Sequence, residues 1–172
     1  MDMLPLPGGD HTGMAQVFIS FVHEEQVVAE AVQKFIEEVL QVNVFVSCDK
    51  WAMFAGEQWL ERIKAALERA SVVVLMLSRE SVARPWVNFE AGAAWLRGTA
   101  IIPVCFKNLN LEDLPKPYSG IQALDLMSTD GQYYLITSIA HYLSRIPPII
   151  PLDAYRRLQQ VLADACPGGC RS

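Results

Sequence analysis

The sequence predicts an α/β domain, a parallel sheet covered by helices on both faces, and three observations carry that reading. Short β-branched and aromatic runs alternate along the chain with segments of helical period. The run SVVVLML at 71–77 is continuously apolar, as a central strand buried on both faces requires. The chain has 172 residues, 52% hydrophobic and 19% charged, enough for one full core. Five strands joined by right-handed crossovers fit a flavodoxin-like three-layer fold with strand order 2-1-3-4-5.

The elements follow in order. The first strand is QVFISF at 16–21. A helix follows, its apolar stripe made of Val27, Val28, Ala31, Val32, Phe35, Ile36, Val39 and Leu40. VNVFVS at 42–47 reads as the second strand, then the loop CDKWAMFAGE and a helix over 57–70. In that helix Trp59, Leu60, Ile63, Ala66 and Leu67 are expected to face inward. The central strand at 71–77 is followed by a helix that Pro85 opens, since its missing N–H would be an orphan in the first turn. AIIPVCF at 100–106 is a fourth strand, in which Pro103 predicts an edge position or a bulge. IQALDL at 121–126 supplies a short fifth strand, GQYYLITSIAHYLSRI a last core helix, and LDAYRRLQQVLADA a polar helix after PPIIP. Three segments are expected: a flexible leader over 1–14, the domain over 15–146, and a Pro-rich connection, helix and tail over 147–172.

Composition narrows the function. The net charge of −5 comes without a basic cluster, which argues against direct nucleic-acid binding. The apolar runs are too short to span a bilayer, and the N-terminus lacks signal-peptide regions. A soluble, cytoplasmic protein is the expectation. Four cysteines and three scattered histidines make neither a disulfide framework nor a metal site, and CPGGC in the tail lacks a second ligand pair for zinc. No Walker loop and no G-x-G-x-x-G fingerprint occurs, so neither signature calls for a cofactor. A phosphoacceptor receiver domain of the same topology is excluded, because the third strand ends in Leu77 and Ser78 instead of Asp.

One carboxylate stands out. Glu90 lies in RPWVNFEAGAAW, an otherwise small and apolar stretch, four residues after Trp86 and on the same helical face. In sheets of this order, ligands sit beyond the carboxyl ends of the strands. The Glu90 helix starts at that edge, and the loops after strands one and two meet there.

These pieces, in this order, resemble a Toll/interleukin-1 receptor (TIR) domain. VFISF is similar to the family's first box. The stretch from VFVSCDKW to VVVLMLS resembles its second strand, long loop, helix and third strand, and RPWVNFEAG its Trp-x-x-x-Glu segment. The resemblance covers roughly 15–145. FEAGAAW looks like the bacterial branch that cleaves NAD between nicotinamide and ribose in antiphage defence.

Carried over, the resemblance makes Glu90 catalytic and puts Trp86 one turn before it. It implies Phe21 and His23 in the nucleotide pocket, and Asp49, Lys50 and Trp51 in the loop that covers the site or touches a neighbour. Ser78, ending the third strand, either hydrogen-bonds near the site or begins the turn. The family's acidic residue after box one corresponds to Glu24 or Glu25. NAD is then substrate rather than cofactor, and the product is ADP-ribose or a cyclic isomer. The implied partners are further TIR copies and an activating sensor protein or fused domain. The alternative is a non-catalytic TIR–TIR interaction module, including a virulence factor that interferes with host TIR signalling. Chemistry favours the enzyme: nicotinamide leaves as a neutral group, so one carboxylate that stabilises the growing ribose cation suffices.

Overall fold

The structure, a computed structural model, describes residues 16–48 and 56–167, with backbone alone for 56–59. Five parallel strands lie in the order β2-β1-β3-β4-β5. They are β1 (Val17–Phe21), β2 (Val44–Cys48), β3 (Val72–Leu77), β4 (Ala100–Cys105) and β5 (Leu124–Asp125). The helices are α1 (Gln26–Leu40), α2 (Gly56–Arg69), α3 (Pro85–Leu96), α4 (Thr129–Tyr142) and α5 (Leu152–Ala165).

Alternation along the strands divides the core in two. Val17, Ile19 and Phe21 of β1 and Val72, Val74 and Met76 of β3 pack with α1, α4 and α5. Phe18, Val22, Val73, Leu75 and Leu77 pack on the other face with α2 and α3. β1 and β2 run in register, Phe18 beside Phe45 and Ser20 beside Ser47. The two phenylalanine rings stack at 5.3 Å, which fixes both side chains on the α2/α3 face.

Several residues depart from the expected pattern. Val27 is 64% exposed, because the buried face of α1 runs through Val28, Ala29, Val32, Phe35 and Ile36 and leaves Val27 at its edge. Leu60 is 45% exposed, and the stripe of α2 turns inward only from Ile63 onward. Pro103 sits in neither an edge strand nor a bulge: it pairs in register with Leu75, with β5 beyond. Cys105 offers its carbonyl to Leu126 N–H on the β5 side, so Pro103, two residues earlier, presents its backbone the same way. β5 pairs only with Val104 and Cys105, so it ends short of Pro103 and the missing N–H has no ladder to break.

α5 lays Ala154, Leu158 and Leu162, and with them its C-cap Cys166, spaced by four, into the same core as α1. Tyr155 meets Phe35 at 5.8 Å, and Arg157 pairs with both Glu38 and Asp153. At the amino edge of the sheet, Gln41 ends α1 in a left-handed conformation at φ 52° and its N–H returns to the Glu37 carbonyl. Arg145 closes that edge, donating to the Leu40 carbonyl at 2.8 Å and to the Gln16 side chain at 3.2 Å. Gly131, in the first turn of α4, has no room for a side chain, since a Cβ would fall 1.8 Å from the Asp125 carbonyl oxygen. Among the described residues no helix is long and apolar enough to cross a membrane.

Candidate active site

α3 begins at Pro85, one residue after the extended Arg84. Arg84 pairs with Glu24 at 2.7 Å, which ties the start of α3 to the turn after β1. Asn88 donates to the Arg84 carbonyl at 3.0 Å and accepts from the Tyr118 hydroxyl, fixing the first turn further. The inward face carries Val87, Glu90, Ala91 and Ala94. Two alanines on that face let the helix axis come close to the sheet, and this brings Glu90 down onto the strands.

Glu90 is 0% exposed. Its Oε1 accepts a hydrogen bond from Ser47 Oγ at 2.5 Å, on β2. Ser20 lies beside Ser47 on the same sheet face, fully buried, and its hydroxyl has no partner among the described residues. Trp86 stacks on Phe89 at 5.8 Å, and its buried indole Nε1 likewise lacks a partner there. A carboxylate and two serines are thus buried together between α3 and the sheet, in an otherwise apolar layer.

A second polar group lies on the opposite face of the same edge. Glu25, in the 3-10 turn His23–Glu25, is 3% exposed, and neither carboxyl oxygen has a hydrogen-bond partner among the described residues. Burial pushes its carboxyl up to about 7, against a smaller downward pull from the nearby Ser78 and Ser81 hydroxyls and Lys107. Glu25 lines a cavity of about 350 Å³ with Glu24, Lys107, Asp164 and Cys166. Of the two candidate acids after β1, Glu25 is the buried one, and Glu24 is half-exposed and salt-bridged.

The residues singled out from sequence scatter. Trp86 and Glu90 share α3 as expected. Phe21 points into the core beneath α1, away from Glu90. His23 is exposed in the 3-10 turn. Ser78 begins the turn after β3: its Oγ accepts from the N–H groups of Glu80 and Ser81 at 3.1 Å and donates to the Glu80 carboxylate. Asp49, Lys50 and Trp51 lie outside the described residues. Trp95 is 71% exposed, because it lies to one side of the Val87–Ala91–Ala94 face that docks on the sheet. Ser20 and Ser47 were not singled out, although VFIS in β1 and VFVS in β2 repeat one pattern with serine at the fourth place.

A family model described as TIR domain matches residues 17–135, well over half of the chain. The chain belongs to the TIR-domain family. Two solved structures share the TIR domain's fold here, both of a metazoan TIR-STING receptor from C. gigas. The one in complex with 2',3'-cGAMP superposes with a TM-score of 0.56 at 19% identity, over 86% of this chain and 45% of that one. The other gives 0.51 at 18% identity over the same shares, so this TIR domain spans less than half the length of either. No curated protein matches the sequence.

Proposed function

We propose that this TIR domain cleaves NAD at the bond between nicotinamide and ribose, with Glu90 as the catalytic group. The observation that carries the reading is a lone carboxylate, out of water, set by α3 at the carboxyl edge of the sheet and held by Ser47. As the C–N bond breaks, its electron pair leaves with neutral nicotinamide and positive charge spreads over the ribose carbon and ring oxygen. A fixed carboxylate in a low-dielectric site stabilises that charge far better than it would in water. Attack by water, whose proton passes to solvent, gives ADP-ribose; attack by an adenine nitrogen gives a cyclic isomer. Trp86, one helical turn before Glu90, serves to stack a ring of the substrate. Self-assembly completes the pocket, and an effector or signal-generating role in bacterial antiphage defence follows from that activity. The direct test incubates concentrated protein with NAD and identifies products by mass spectrometry, with Glu90→Gln alongside. Release of nicotinamide by the wild type and not by the variant supports the reading, and intact NAD in both refutes it.

The second reading, a TIR–TIR interaction module, is favoured by one feature. The outer face of α3 exposes Phe89 at 60%, Trp95 at 71% and Leu96 at 81%, and large apolar side chains grouped on a surface mark a partner site.

A further inference from the structure

β1 and β2 each bury one serine in an otherwise apolar strand, at the same register position and on the face that α3 covers. Neither hydroxyl serves the sheet, whose ladder is made by backbone groups alone. Ser47 spends its only proton on Glu90 Oε1. Ser20 gives its proton to nothing among the described residues. A buried hydroxyl without a partner lowers stability, and alanine or valine in its place would pack without that cost. An orphan of this kind, next to a held carboxylate, marks a partner that arrives and leaves.

We propose that Ser47 is a positioning residue that fixes the Glu90 carboxylate, and that Ser20 is a substrate contact that bonds a ribose hydroxyl. The inference rests on the reading of Glu90 as the NAD-cleaving carboxylate and assigns the sugar subsite beside it. Neighbouring strands are about 4.8 Å apart, so the two serine side chains reach the same small group above the sheet. A sugar hydroxyl suits Ser20 because it both accepts and donates, as the serine does. A phosphate would call for a cation there, and among the described residues Arg84, at the head of α3, is already paired with Glu24.

The roles separate kinetically. Ser47→Ala leaves Glu90 in place but loosely aimed, so kcat falls about 10–100-fold while KM stays within about twofold. Ser47→Thr keeps the hydroxyl and recovers most of the rate. Ser20→Ala removes a contact made in ground and transition states alike, so KM rises about 3–10-fold at nearly constant kcat. ADP-ribose titrated calorimetrically reports the same Ser20 contact without turnover, with an affinity about 3–10-fold weaker in Ser20→Ala. All variants are measured at one protein concentration beside their melting curves. A folded Ser47→Ala protein with wild-type kcat, or Ser20→Ala with unchanged KM and ADP-ribose affinity, overturns the inference. Glu90→Gln separates the two levels: if it is inactive and Ser47→Ala is fully active, only the serine assignment fails. If Glu90→Gln turns over NAD normally, the reading beneath it fails as well.

Discussion

Replacing Glu25 by glutamine should stabilise the protein, and by an amount that depends on pH. The carboxyl is 3% exposed and its oxygens have no hydrogen-bond partner among the described residues, so burial raises it from 4.5 to about 7. Below about pH 4.5 both folded and unfolded chains hold the proton and the group costs nothing extra. Between 4.5 and about 7 the unfolded chain releases the proton and the folded one keeps it, so stability falls as pH rises. Above about 7 both are ionised and the full penalty is in place. At about 1.36 kcal/mol per pH unit, the gap comes to about 3 kcal/mol. Glutamine has nearly the same shape and does not titrate. At pH 8 Glu25→Gln should therefore exceed the wild type by up to about 3 kcal/mol, or roughly 6–12 °C in Tm for a domain of this size. Near pH 5 the gap should shrink to under about 1 kcal/mol. Urea unfolding of both proteins at pH 5, 6, 7 and 8 measures the difference, and taking the difference cancels the titration of every other carboxylate. A gap that stays constant across that range would refute the reasoning.

Glu90→Gln should reduce NAD cleavage by about 10²–10³-fold with the fold retained, measured by nicotinamide release and circular dichroism; near-wild-type turnover sinks the catalytic assignment. Phe89→Ser and Trp95→Ser, both on the exposed face of α3, should change stability by no more than about 0.5 kcal/mol yet reduce self-association in light scattering. Unchanged particle size would remove that face from the assembly. Rate per mole of enzyme should rise with concentration and with bead immobilisation, because a site closed by a neighbour excludes water better; a flat plot from a monomeric sample contradicts this. Ala94→Leu, at 1% exposure between α3 and the sheet, should cost about 1–3 kcal/mol in urea unfolding and displace Glu90, lowering activity more than stability alone explains.

The layers of this fold were legible because its strands and helices obey simple periods. SVVVLML could only be a strand covered on both faces, and it is β3, buried throughout. Pro85 marked the start of α3 to the residue. Glu90 was visible as the single charge within that apolar helix. The rest depended on information a linear pattern does not hold. Glu24 and Glu25 are adjacent and identical, and only the 3-10 turn decides which one is buried. Ser20 and Ser47 meet through register, 27 positions apart in the chain, and a serine near a strand end reads locally as the start of a loop. For Trp95 hydrophobicity alone argues for the core, while helical rotation, set by where Val87 and Ala94 dock, turns it outward. Pro103 misled for a related reason: its consequence depends on how far the neighbouring strand extends.

The clasp made by Arg145 on the Leu40 carbonyl and Gln16 sits at the end of the sheet opposite Glu90. A residue 105 positions beyond Leu40 thereby ties α1's last turn to the chain just after α4. The two ends of the domain therefore differ in stiffness. One is closed by the half-buried bond of Arg145 to the Leu40 carbonyl; at the other, the ties of Arg84 to Glu24 and of Arg79 to Asp113 and the Asn108 carbonyl are solvent-exposed, and water loosens them more easily. Breathing motions should concentrate at that second end, while the far end keeps the strands in step. Amide hydrogens of the last turn of α1 should then exchange with deuterium far more slowly than those of the turn after β1.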